Sequence, residues 1–227
     1  MKKPAIRAIF VDFGNVCATF DFRRFIENFS RATKVPQKEI EVVLLEKRAR
    51  GSAYGGYGGY SPLFELFECG ELPPVQFFHV LTALLGCRKC IDYFTFARLW
   101  TDIFDKENEG LDELLALLPQ KKYLLSNTNK IVHGRHIAYC RITRNHFPLR
   151  EQRILSCEVG AIKPNPLIYK VALRRAEVKP EQALFLDDMP ENIEAWRALG
   201  GVGIVYHAGV HSIQELRKEL RALGVLT

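Results

Sequence analysis

Along the chain, short runs of consecutive apolar residues alternate with longer stretches in which apolar positions recur every three or four residues. The short runs, at 6–11, 123–125, 183–186 and 203–206, are bounded by polar or turn residues and predict strands. Being almost continuously apolar, they fit a sheet covered on both faces. The stretches 110–118, 130–139, 166–176, 190–199 and 213–223 predict helices. Their ends carry the matching punctuation: Asn165 precedes Pro166 at a helix start, Gly200 and Gly201 follow Leu199, and Ser212 with Glu215 forms a capping box. Strand and helix in alternation predict an α/β fold, a doubly wound parallel sheet with right-handed crossovers.

The first strand stands apart from the rest. Roughly a hundred residues separate it from the next, far more than one crossover helix needs. In that gap the period is helical over 22–32, 36–50, 62–69, 73–85 and 91–100, which predicts an inserted all-helical subdomain. The division expected is a core of residues 1–17 and 104–227 with a cap of residues 18–103. Inside the cap, the glycine- and tyrosine-rich run 51–60 is unsuited to a helix. It reads either as a connector between helices or as a lid whose tyrosines line a substrate entrance.

Composition narrows the class. The 227 residues are 48% hydrophobic and 26% charged, the balance of a globular chain with a substantial core. No apolar run approaches the roughly 18 residues of a membrane span. Arg7 and Asp12 bracket four apolar residues, where a secretory signal core needs about 7–15, so a cytoplasmic protein is expected. The net charge of +6 favours anionic partners. Small phosphorylated molecules satisfy that charge as well as nucleic acid does. The basic stretch 130–153 carries no nucleic-acid motif and reads as solvated faces, so nucleic acid is not an expected partner. The six cysteines are scattered, and reduced thiols are expected. Cys87 and Cys90 have zinc-knuckle spacing but lack a second pair.

In a doubly wound sheet, ligands bind beyond the carboxyl ends of the strands. Asp12-Phe13-Gly14-Asn15 follows one predicted strand, Ser126-Asn127-Thr128-Asn129 a second and Asp187-Asp188 a third, while Lys163 lies just before a helix. Singly, each has an ordinary structural reading, as a turn acid, a strand exit, a solvated lysine and a helix-start acid. Their order and placement give a chemical one. Gathered carboxylates repel, and the usual remedies are a hard divalent cation and a buried lysine. Magnesium takes one or two protein carboxylates and leaves positions for water and a phosphoryl oxygen. A phosphate ester is the natural ligand, and an aspartate there could attack phosphorus to form an aspartyl-phosphate.

The segments 9–16, 124–129, 160–164 and 185–193 resemble motifs one to four of the haloacid dehalogenase (HAD) superfamily. The resemblance spans the chain and implies a Rossmann-like core with a helical cap inserted after motif one. Asp12-Phe13-Gly14-Asn15-Val16, with Phe20-Asp21 and the later Ser-Asn-Thr-Asn, is most similar to small phosphatases of the sugar 1-phosphate type. It implies that Asp12 is the nucleophile and a magnesium ligand, joined by the Gly14 backbone carbonyl and Asp188, with Asp187 beside the metal directly or through water. Ser126 and the Asn127 amide would hold phosphoryl oxygens, Lys163 would neutralise charge between Asp12 and the phosphate, and Asn192 closes motif four.

One position departs from the pattern. Phosphatases of this superfamily carry a second Asp two residues after the nucleophile, as general acid and base, and here that position is Gly14. Such help contributes about 10²–10⁴-fold. Its absence points to a substrate with a better leaving group, to another proton donor such as Asp21, or to little turnover. Two alternatives stay open: a 2-haloacid dehalogenase-type hydrolase, and a phosphate-ligand-binding protein with little turnover.

Overall fold

A computed structural model describes residues 5–47 and 57–226. In chain order these form β1 (Ala8–Val11), β2 (Ala18–Phe20), α1 (Arg23–Thr33), α2 (Gln37–Leu44), β3 (Leu45–Lys47), β4 (Tyr57–Tyr60), α3 (Pro62–Glu68), α4 (Pro74–Leu84), α5 (Tyr93–Thr101), β5 (Phe104–Glu107) and α6 (Glu109–Leu117). Then come β6 (Lys121–Ser126), α7 (Lys130–Val132), α8 (Arg141–His146), β7 (Arg153–Leu155), α9 (Ser156–Val159), α10 (Pro166–Ala176), β8 (Ala183–Asp187), α11 (Pro190–Ala198), β9 (Val202–Val205) and α12 (Ile213–Ala222).

Five strands make one parallel sheet in the order β7-β6-β1-β8-β9, the α/β Rossmann-like arrangement. The chain starts in the middle, winds outward to β7, then returns beside β1 to wind the other way, so the topological switch falls at β1. Alternation along the strands divides the core. Ala8, Phe10, Leu125 and Phe185 face α10 and α11, where Tyr169 and Trp196 pack on them. Ile9, Val11, Leu124 and Leu186 face the other way, into a cluster that runs without a break into the insertion. There Trp100 meets Phe25, Phe64 and Phe77 edge-on, with ring centroids 4.6, 5.3 and 5.2 Å away. Each such buried aromatic stabilises the fold by roughly 1.5–3 kcal/mol relative to exposure. The insertion and the sheet therefore share a hydrophobic core.

Helix starts follow the punctuation read from the chain. Asn165 accepts from the Leu167 N–H at 3.0 Å, and Ser212 and Glu215 form their reciprocal pair at 3.2 and 2.7 Å. Among the described residues no helix is long and apolar enough to cross a membrane.

The structure differs from the sequence expectation in several places, among them the short elements β2, β5, α8 and α9, which no pattern announced. The insertion is not all-helical: the helix expected over 36–50 ends at Leu44, and β3 pairs antiparallel with β4. The apolar run Val42–Leu45 suits either state, and the bond from the Ser61 N–H to the Leu44 carbonyl, with the Leu45–Tyr60 pairing beside it, decides it. Of the glycine- and tyrosine-rich run, 51–56 lies outside the described residues. Second, β7 was not expected, because three residues beside charged neighbours carry too little pattern. Third, the helix expected over 130–139 is one α-turn followed by a π-turn at His133–Ile137. At the neck of the insertion, β2 and β5 pair antiparallel.

Candidate active site

Register explains why the motif residues meet. Val11 partners Leu124 on one side and Leu186 on the other. One residue further on, Asp12 therefore stands beside Leu125 and Asp187 as the strands end. The Asp12 N–H donates to the Leu186 carbonyl at 2.9 Å, which carries the pairing one step past β1. Ser126 ends β6, Asp187 ends β8, and Asp188 is the next residue into the loop before α11. All are buried, and carboxylate oxygens of Asp12, Asp187 and Asp188 lie within 4.8 Å of one another.

Lys163 ties the set together. Its ammonium donates to Asp12 Oδ1 at 2.6 Å, Asp187 Oδ2 at 2.7 Å and the Leu125 carbonyl at 3.0 Å, which uses all three of its donors. The lysine is itself positioned by Asn127, whose side chain accepts from the Lys163 N–H at 2.7 Å and donates to the Lys163 carbonyl at 3.0 Å. Asp187 is fully enclosed: besides the lysine it accepts from the Met189 N–H at 2.8 Å and from Asn192 Nδ2 at 2.9 Å. Asp188 Oδ2 accepts from Asn15 Nδ2 at 3.1 Å.

The electrostatics follow from burial. Burial raises Asp12 to about 6, with Lys163 pulling down and Asp187 pushing up. Asp188 rises to about 8 through burial and then the charges of Asp12 and Asp187. Burial works against the Lys163 charge, but Asp12 and Asp187 outweigh it and hold the ammonium protonated. Three buried acids face one ammonium, so Asp188 keeps its proton near neutrality, and a divalent cation among these oxygens would offset the charge and release it.

Residues 6–200 match the family model described as Hydrolase: haloacid dehalogenase-like hydrolase. The chain belongs to the haloacid dehalogenase-like hydrolases. The "D-ribitol-5-phosphate phosphatase" of Bacteroides thetaiotaomicron is 28% identical over 200 residues, covering 86% of this chain and 89% of that protein. "Bifunctional epoxide hydrolase 2" of Mus musculus is 42% identical over 65 residues, 29% of this chain but only 12% of that protein, so the match covers a small part of its length. Among solved structures, the HAD family enzyme bt-2542 of Bacteroides thetaiotaomicron, a variant in complex with magnesium and inorganic phosphate, superposes with a TM-score of 0.75. It is 25% identical, and the match covers 94% of this chain and all of that one.

Within this haloacid dehalogenase-like hydrolase, the departure at Gly14 has a steric cause. A Cβ built on Gly14 would come within 2.7 Å of Phe20 Cε1, so the ring occupies the space a side chain would need. Asp21, the alternative proton donor, is tied to Arg23. It accepts the Arg23 N–H at 3.0 Å and that residue's guanidinium at 3.1 Å, and these bonds hold its carboxyl below the usual range.

Two further residues of the hydrolase, Asn15 and Glu68, have no role in the sequence reading, and a third, Tyr60, belongs to the run read as a connector or an entrance lid. Asn15, in the left-handed region at φ 54°, reaches back to Asp188 and accepts from the Phe20 N–H at 3.2 Å. Its signal was available, since Asn tolerates that conformation better than most residues. Tyr60, from β4, has its hydroxyl held neutral by burial and by the charges of Glu68, Asp12, Asp188 and Asp187, so the insertion places it near the aspartates. Glu68, at the end of α3, is buried and bonded to Asn129. Nothing in its spacing marked it.

Proposed function

We propose that this protein is a magnesium-dependent phosphomonoesterase that hydrolyses a small phosphorylated metabolite through an aspartyl-phosphate on Asp12. The observation that carries this reading is the ammonium of Lys163 bridging Asp12 and Asp187 at 2.6 and 2.7 Å, with Asp188 in the same cluster. Asp12, Asp188 and the Gly14 carbonyl would hold the cation. Asp187, already committed to Lys163, Met189 and Asn192, would act beside it. The hard oxygen donors suit magnesium. When bound, the ion supplies Lewis-acid polarisation of the phosphoryl group and offsets the charge of the carboxylates.

The chain's own residues do the rest. Lys163 keeps the buried Asp12 ionised and therefore nucleophilic. The Asp12 carboxylate attacks phosphorus, a P–O bond to the aspartate forms, and the ester P–O bond breaks, the leaving oxygen taking its proton from solvent water. Water then cleaves the acyl phosphate and restores the carboxylate. The Ser126 hydroxyl and the main-chain N–H of Asn127 would hold phosphoryl oxygens, because the Asn127 side chain is occupied with Lys163. With Phe20 filling the space at Gly14, the leaving oxygen has no carboxylic acid beside it from motif one. That favours a good leaving group, as in a sugar 1-phosphate. The likeness to a "D-ribitol-5-phosphate phosphatase" supports a polyhydroxylated phosphate more broadly. The same Gly14–Phe20 contact also favours a second reading, a phosphate-ligand-binding protein with slow turnover.

Purified protein assayed against phosphate monoesters and 2-haloacids, with and without magnesium, tests both. Expected is phosphate release that chelator abolishes and that Asp12→Asn lowers by about 10³-fold or more. Halide release without metal would overturn the proposal. Phosphate binding without turnover would support the second reading.

A further inference from the structure

We propose that Glu68 is a positioning residue through which the inserted module shapes the phosphate-binding loop. This inference rests on the phosphatase reading of the site and goes beyond it. Glu68 is the last residue of α3 and is 4% exposed. Its Oε1 accepts from Asn129 Nδ2 at 2.6 Å. Asn129 lies two residues past Asn127, and its Oδ1 accepts the Ile131 and Val132 N–H groups at 3.1 Å, capping α7. The Glu68 main-chain carbonyl makes a second link. It accepts from Ser156 Oγ at 2.7 Å, and that oxygen accepts the Thr128 N–H at 2.8 Å. One residue of the insertion thus holds Asn129 directly and bonds to Ser156, which in turn holds Thr128. Two residues on, Gly70 lies so close to the Cys157 carbonyl that a Cβ would collide with it.

The Ser126–Asn129 loop receives its shape from both sides: Asn127 is fastened to Lys163 and Thr128 to Ser156 of the sheet domain, and Asn129 to Glu68 of the insertion. Without the Glu68 carboxyl, Asn129 loses the acceptor that orients its amide, and phosphate binding weakens. The contact is buried, so an Asn129 amide left without its acceptor is not compensated by water.

The test is calorimetric binding of inorganic phosphate in the presence of magnesium, together with kcat and KM for a hydrolysed ester and the melting temperature of each variant. Glu68→Ala is expected to weaken phosphate binding roughly tenfold and to raise KM more than it lowers kcat. Glu68→Gln, whose side-chain oxygen still accepts from Asn129, should stay within about threefold of the parent. Should Glu68→Ala fail to fold, Asn129→Ser serves in its place, because serine can still cap α7 while losing the reach to Glu68. It too should weaken phosphate binding. A parent that binds phosphate while the folded Glu68→Ala or Asn129→Ser protein binds it equally tightly overturns the inference and leaves the phosphatase reading standing. A parent that neither binds phosphate nor releases it from any ester overturns that reading and this inference with it.

Discussion

Two sets of buried carboxyls flank the Ser126–Asn129 loop, one from the sheet and one from the insertion, and they are stabilised differently. Asp12 and Asp187 share an ammonium, and Asp187 gathers two further N–H donors. Glu68 has the Asn129 amide, and burial pushes it up to about 7. Burial penalises a carboxylate wherever it lies, and the outcome depends on what the fold places beside it. At the strand ends the ammonium favours ionisation, which a nucleophile requires. In the insertion, burial outweighs the neutral Asn129 amide and leaves the acid poised near neutrality.

Removing the ammonium should break this comparison most severely. Lys163→Met leaves Asp12 and Asp187 facing each other with no cation, and should cost about 3–5 kcal/mol in urea unfolding with chelator present. A loss below about 1 kcal/mol would mean that the lysine does not stabilise the pair.

The insertion side is read from pH. The folded value of Glu68, about 7, lies above its unfolded value of 4.5, so its stabilising effect is fully present below pH 4.5 and is lost as the pH rises through 7. Glu68→Gln has no such loss. The stability difference between variant and parent should therefore shift in favour of the variant by roughly 3 kcal/mol between pH 4.5 and pH 8. Asp12 and Asp188 titrate in the same window but are common to both proteins and cancel. A difference curve that stays flat would show Glu68 ionising as freely as an exposed acid.

The smallest expected effect concerns Gly14. Gly14→Ala should lower stability by about 1–3 kcal/mol through its collision with Phe20, and Phe20→Leu should recover part of that in the double variant. Additive melting shifts would place the Phe20 ring elsewhere.

Much of this was legible in the chain. Three central strands, β1, β6 and β8, announce themselves as unbroken apolar runs because both their faces are covered. The polar residues that end them are conspicuous for the same reason. Less was legible where few residues carry the signal or where a distant partner decides. A three-residue β7 has too little pattern, and Leu45 stays ambiguous until Tyr60 pairs with it.

By itself the amino-acid sequence determined strands β1, β6, β8 and β9, the caps at Asn165 and Ser212 and the candidate set Asp12, Ser126, Lys163, Asp187 and Asp188, since these depend on local periodicity and on residue type at strand ends. The tertiary structure alone decided that Lys163 bridges two aspartates, that the ring of Phe20 fills the space at Gly14, and that Glu68 grasps Asn129. Each is a contact between side chains brought together by sheet register or by docking of the insertion, and no local propensity encodes such a meeting.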